Sequence, residues 1–284
     1  MDITEMLYRQ KSGIIYNALS RTLQPGYFFG PHCHKNVELC VMKEGECDIT
    51  VNSEVITVRG GELMVIFSHM VHTFHMRSTR PAVFLQMHFD PESFLHVSPT
   101  VVENVGFLHS MADEHSSYLH QPCSPDLVGC MERVCREMRS PDEAFSGPLS
   151  QLYIHELIFL LSRETDQSYR QVFSIGNPLA ISAIQFISDR MDQRISLQDV
   201  ARHCKVTVRH LSGVFKTAVN ITVNDYINIA KIDRAMRYIL ETDNDMTTIA
   251  SKLGFSSAQY FSTIFKKYTH VTPTEFRNMS DKDI

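Results

Sequence analysis

His32 and His34 are the residues of this 284-residue sequence whose type and spacing speak first to chemistry. They lie in a β-prone run, and side chains two apart on a strand face the same side, so both imidazoles would point to one place. Neutral imidazole nitrogen is the commonest protein ligand for a transition metal. The seven cysteines, Cys33, Cys40, Cys47, Cys123, Cys130, Cys135 and Cys204, offer a competing pattern. Their number is odd and none makes a Cys-x2-Cys pair of the kind zinc ribbons use, so buried free thiols are expected. Cys33, Cys40 and Cys47 recur every seven residues, which fits small apolar packing in strands. No Ser/His/Asp grouping, phosphate loop or dinucleotide fingerprint is present.

The elements that must position those imidazoles are short strands. From Ile14 to about Phe89, β-prone runs such as Cys47 to Val51, Val55 to Val58, Leu63 to Phe67 and Val83 to Phe89 alternate with Gly, Pro and Asn punctuation. Closing such strands into a barrel or jelly roll is the usual way to remove exposed edges. After Pro91 the pattern loosens into a polar stretch, His109 to Ser124, and then turns helical. Leu127, Met131, Val134 and Met138 mark one helix over about 126–138. A second, about 148–163, carries Leu152, Leu157, Leu160 and Leu161, a stripe suited to covering the barrel or to pairing with the same helix of another chain. Residues 167–178 read as a linker, because Gly176-Asn177-Pro178 cannot continue a helix.

Composition sets the outer bounds. A hydrophobic content of 43 % with 21 % charged residues excludes disorder, and no apolar run reaches the roughly 18 residues of a membrane helix. Met1 to Gly13 lacks the charged-then-apolar order of a secretory signal, so the cytoplasm is the expected location. The net charge of −5 divides unevenly. Residues 177–284 hold 14 basic against 11 acidic side chains, a surplus of +3, while residues 1–176 hold 13 against 21, a deficit of −8. The basic half is the one placed to meet a polyanion.

That half reads as about seven helices, 181–190, 197–204, 208–219, 223–241, 246–253, 258–268 and 273–278, and it contains a repeat. Ser196-Leu-Gln-Asp-Val-Ala201 aligns with Asp245-Met-Thr-Thr-Ile-Ala250, and Leu211 to Lys216 aligns with Phe261 to Lys266. Each copy is a capped helix with an inward Ala, a short turn and a second helix, the helix-turn-helix plan in which the second helix is free to enter a major groove. Leu211, Phe215, Phe261 and Phe265 fall on the inner stripe and belong to the core. Arg209, His210, Ser212 and Lys216 face outward in the first copy, and Gln259, Ser262, Thr263 and Lys266 in the second. Arg209 can fork onto guanine and Gln259 onto adenine, whereas the two lysines sit where phosphate contact is as natural.

With Tyr226, Lys231-Ile232, Gly254-Phe255, Tyr260 to Lys267 and Thr272-Pro273-Thr-Glu-Phe-Arg277 added, residues 195–277 resemble the DNA-binding domain of the AraC/XylS family of bacterial transcription regulators. The pattern is departed from in three ways, at five positions. Gly213 and Thr263 stand where base-reading Arg is common, Lys231 replaces the linker-helix Arg, and the Gly after each second helix is Asn220 in one copy and His270 in the other. Asn fits a left-handed turn, His less easily.

The front half is similar to a cupin domain. Gly26-x5-His32-x-His34-x3-Glu38-x6-Gly45 fits the first cupin motif, and Gly61 and His72 fit the second, in which Phe67, His69 and Met76 replace its Pro, Gly and Asn. The resemblance implies that Glu38 and His72 join His32 and His34 from neighbouring strands. Three imidazoles and a carboxylate suit a divalent Zn, Ni, Fe, Mn or Co ion with a position open for ligand; the same residues also serve as a metal-free polar cluster in a ligand cavity. His69, His75 and His88 are strand or cavity residues.

The expected fold is α+β: a cupin-like β-barrel followed by helices in residues 1–166, used for sensing and dimerisation, a linker at 167–178, and an all-α double helix-turn-helix domain at 179–284. The expected function is a sequence-specific DNA-binding transcription regulator, a homodimer, that senses a small molecule such as a sugar or a metal-bound ligand. Its partners would be duplex DNA, the effector and RNA polymerase, with no membrane. The alternative is a metal-dependent cupin enzyme, an isomerase or dioxygenase, with a helical appendage.

Overall fold

The computed structural model describes residues 15–90, 116–165, 173–174 and 177–280. Its first half is built from antiparallel strands β1 (Ile15–Leu23), β2 (Phe28–His32), β3 (Val37–Glu44), β4 (Glu46–Val51), β5 (Glu54–Arg59), β6 (Glu62–Ile66), β7 (His72–His75), β8 (Ala82–Phe89) and β9 (Ser116–Pro122). They form two sheets, β1-β8-β3-β6-β9 with a two-residue β10 (Phe173–Ser174) at its edge, and β2-β7-β4-β5. The barrel expected from sequence is therefore two hydrogen-bonded sheets rather than one closed ring. Strands β3, β6 and β8 are buried along nearly their whole length, because both faces of the larger sheet are covered. Turns demand the glycines of the motif. At Gly45, φ is +80° and a Cβ would meet Ala82 at 2.8 Å, so the hairpin from β3 to β4 closes only without a side chain.

Strand β9 corrects the polar-stretch reading of residues 109–124. Residues 116–122 pair with β6, Val65 opposite Leu119, although their own alternation is weak; residues 109–115 lie outside the described residues. Helix α1 (Pro125–Arg139) follows, capped by Ser124, and turns Leu127, Met131 and Val134 inward. Helix α2 (Ser146–Thr165) packs against α1 through Ile154, Leu157, Ile158 and Leu161. Leu152 does not join this inner stripe. It is 65 % exposed, because Ile154 and Ile158 set the buried face about half a turn away. The linker holds a strand pair: Phe173 lies opposite Tyr118, and the next helix opens at Pro178 with Asn177 as N-cap; residues 166–172 and 175–176 lie outside the described residues.

Seven helices complete the described chain, as the sequence predicts: α3 (Pro178–Ser188), α4 (Leu197–His203), α5 (Val208–Val219), α6 (Val223–Glu241), α7 (Met246–Lys252), α8 (Ala258–Thr269) and α9 (Pro273–Ser280). Starts are fixed by caps. Ser196 and Asp199 form a reciprocal capping box at α4, and Thr207, Thr222, Asp245 and Ser257 cap α5, α6, α7 and α8. Leu211, Phe215, Phe261 and Phe265 are fully buried, and α6 runs beneath both helix pairs with Tyr226, Ile229, Ile232 and Met236 inward.

Candidate functional site

Four ligand-type side chains meet in the interior of the front half. The nearest atoms of His32, His34, Glu38 and His72 lie within 4.8 Å of one another, and all four residues are buried. His32 ends β2 and pairs in register with His72 at the start of β7. Gly30 makes that crossing possible, since a Cβ there would meet the His72 carbonyl at 2.7 Å and the His32 ring at 3.1 Å. His34 corrects the strand argument: β2 stops at His32, and His34 is presented from the loop that crosses to the larger sheet. Its ring returns to the cluster because Nδ1 is anchored on the Asn36 carbonyl at 2.8 Å. Glu38 projects from β3, opposite His88 of β8.

Glu38 is the hub. Its Oε2 lies 2.9 Å from His72 Nε2, 3.1 Å from His34 Nε2 and 3.3 Å from His88 Nε2. Its Oε1 accepts from the Gln86 amide and from the Cys40 thiol at 3.2 Å. Burial pushes the Glu38 carboxyl up, but the electrostatic influence of the adjacent His88 ring and hydrogen bonds from His34 and His72 outweigh it and hold the group well below the usual carboxylate range. Burial likewise holds the His32 and His34 rings below the ordinary imidazole value. Gln86 and His88 complete the cluster, and their signal is legible: they are polar, two apart, inside the apolar run of β8. His75 lies on β7, while His69 lies in the turn before it.

The proton count of the rings decides what the cluster suits. His34 Nδ1 faces a carbonyl, and so does His72 Nδ1, 2.8 Å from the Met70 carbonyl. A carbonyl only accepts, so each ring spends its Nδ1 proton there; a doubly protonated ring donates from Nε2 to Glu38, whereas a neutral ring turns the Nε2 lone pair to the same point, ready for a cation. Lone pairs converging on an anionic oxygen form a cation site, with the carbonyls fixing the ring tautomers. His32 Nδ1 is buried without a hydrogen-bond partner.

In the second half, α4 and α5 form one helix-turn-helix unit and α7 and α8 the other. Lys205 (φ +55°) makes the first turn and Gly254 (φ +66°) the second, where a Cβ would strike the Arg194 backbone at 2.6 Å. Arg209, His210 and Lys216 of α5 are exposed and Ser212 is half-buried; Gln259, Thr263 and Lys266 of α8 are exposed and Ser262 half-buried. All eight therefore lie away from the phenylalanine core, as expected. Lys216 already bonds the Asn220 carbonyl at 2.8 Å, closing its own helix. Lys231 is buried in α6, bonds the Gln193 carbonyl at 2.9 Å, and has its pKa lowered to about 8 chiefly by that burial.

A β-sheet sensor domain joined to paired helix-turn-helix units is the architecture of a one-component DNA-binding regulator. Comparison with known proteins agrees: residues 18–158 match the AraC-like ligand binding domain and residues 200–279 a helix-turn-helix domain. The melibiose operon regulatory protein of Escherichia coli K12 is 24 % identical over 273 residues, covering 88 % of this chain and 84 % of that one. The Msm operon regulatory protein of Streptococcus mutans is 22 % identical over 256 residues, 89 % and 87 % of the two chains. Among solved structures, fatty-acid-bound ToxT of Vibrio cholerae superposes with a TM-score of 0.65 at 13 % identity, covering 95 % of this chain and 97 % of that one, a likeness of fold. The chain belongs to the AraC/XylS family of transcription regulators. It binds DNA in sequence-specific fashion and carries a cupin-like domain that senses a small molecule; its relatives are regulators of operons. Among the described residues no helix is long and apolar enough to cross a membrane.

Proposed function

We propose that the effector site of this regulator is a metal-loaded one, in which His32, His34, Glu38 and His72 hold a single divalent Zn, Ni, Fe, Mn or Co ion and the small molecule is taken at its open position. The observation that carries this is the orientation of His34 and His72, whose Nδ1 protons are committed to backbone carbonyls and whose Nε2 atoms converge on Glu38. The ion would supply a Lewis-acidic point that hydroxyl oxygens can chelate. A sugar-class effector fits that chemistry, and the similarity to a regulator of a melibiose operon supports it. The site serves binding rather than turnover, and the protein acts where DNA is, in the cytoplasm, with RNA polymerase as its downstream partner.

The protein acts as a homodimer through α2. Leu152 and Phe159, seven residues apart on α2, are 65 % and 47 % exposed and share one outward face of the helix, with Phe145, 77 % exposed, just before its start. The groove beside it, about 640 Å³, is lined by Asp126, Arg133, Glu156 and Arg163, so it carries both signs of charge. A two-fold interface requires that self-complementarity.

The test of the metal reading is elemental analysis of untagged protein. Near one equivalent per chain is expected, reduced to background in Glu38→Gln and in His34→Ala. Equal metal in wild type and His32→Ala/His72→Ala would leave the residues as a metal-free polar cluster.

A further inference from the structure

Two positions at which the family patterns expect glycine hold histidine instead, His69 and His270. Both adopt the left-handed backbone, at φ +66° and +65°. A non-glycine residue there is strained, and the strain persists only where neighbouring contacts hold it. Both histidines lie where the front half touches the DNA-binding half. The His69 ring lies 3.3 Å from the Ser188 hydroxyl at the end of α3, and its carbonyl accepts a 3.0 Å hydrogen bond from Tyr226 of α6. The His270 ring, at the C-cap of α8, packs edge-on against Phe28 of β2 with centroids 5.7 Å apart.

Each anchor leads directly to machinery already described. The His69 amide donates to the carbonyl of His34 at 2.7 Å, and the adjoining Met70 carbonyl holds His72, so the turn that contacts α6 also positions two members of the buried cluster. Tyr226, fully buried, packs its ring on Phe215 of the first recognition helix at 5.6 Å. His270 terminates the second recognition helix, while β2, which carries Phe28, ends in His32. One contact thus reaches each helix-turn-helix unit from the sensor domain.

We propose that His69 and His270 are positioning residues, a two-point clasp by which the sensor domain fixes the mutual orientation of the two recognition helices and so the spacing of half-sites the protein accepts. This rests on the reading that both units contact DNA. The cluster beside His69 gives the clasp its sensitivity, since drawing His34 and His72 together fixes the turn that bears it.

The test uses the full-length chain with His69→Gly, His270→Gly and the double variant. Glycine relieves the strain and keeps every backbone hydrogen bond, so these proteins fold; only the two rings are lost. Duplexes are selected from a random pool with wild type, and one base pair is then inserted between the two half-motifs. Insertion is expected to weaken wild type at least about 10-fold and the double variant less than about 3-fold, with zinc content unchanged. An insertion penalty equal to that of wild type overturns the clasp, and the zinc content, read separately, shows whether the metal reading stands without it. Hydrogen exchange gives a readout independent of DNA. His270→Gly is expected to speed exchange both around residue 270 and around residues 66–70; acceleration confined to its own segment overturns the clasp even if no DNA is bound.

Discussion

Three imidazole nitrogens approach one oxygen of Glu38, and the consequence for stability is measurable. Zinc at 100 times its Kd would stabilise the fold by about 2.7 kcal/mol, a rise in Tm of roughly 5–10 °C. Chelator should remove that rise in wild type and make no difference in Glu38→Gln, as read by calorimetry; a chelator-insensitive wild type would argue against the ion. On the DNA side, Arg209→Ala should cost about 1–3 kcal/mol and relax base preference in one half of the site, because a bidentate guanidinium reads guanine. Lys266→Ala should weaken all sequences alike and flatten the dependence on log salt by about one unit, since a phosphate contact carries no base information. Selection from a randomised pool at fixed salt separates the two outcomes, and a half-motif lost with Lys266→Ala would reverse the assignment. At this scale the sequence was informative for residues of fixed role. His32, Glu38 and His72 stand where the motif spacing puts them, while the carbonyl anchors of His34 and His72 depend on loop geometry that no spacing encodes.

Among elements, the helices from 197 onward were legible to within a residue or two, because they begin at Ser, Thr or Asp caps and carry a 3.6-residue apolar period, whereas the opening helix, expected over 181–190, starts three residues earlier at Pro178 behind the Asn177 cap. Ser196→Ala, which removes one side of the capping box, should cost about 1 kcal/mol in chemical denaturation. Strand β9 was not legible. Ser116 to Pro122 has little β propensity of its own and is a strand because it covers the open edge of β6, a long-range pairing. The split of α2 into two faces was half legible: the apolar residues were plain, but which of them point inward depends on α1. The outward set gives a prediction. Leu152→Glu with Phe159→Glu should raise the dimer dissociation constant by roughly 100-fold or more, given about 1.5–3 kcal/mol for each apolar side chain returned to water. Sedimentation at several concentrations checks this, and an unchanged association would place the dimer elsewhere.

At the level of the whole molecule, the two halves were separable in the sequence by charge and by period, yet their contact was not. Tyr226 and His69 stand 157 positions apart, and nothing in either local pattern announces the other. What could be noticed were the two histidines in glycine positions, which read as blemishes in a motif until the fold places both on one boundary. The acidic front and basic tail also leave the molecule electrically lopsided, so association with DNA should slow markedly as salt rises. That boundary has an optical use. The chain contains no tryptophan, and Phe28, 43 % exposed, packs against the His75 and His270 rings. Phe28→Trp would therefore install a lone indole at the seam. Its emission colour and its quenching by the neighbouring imidazoles would report, in real time and without any label, how far the two halves have parted.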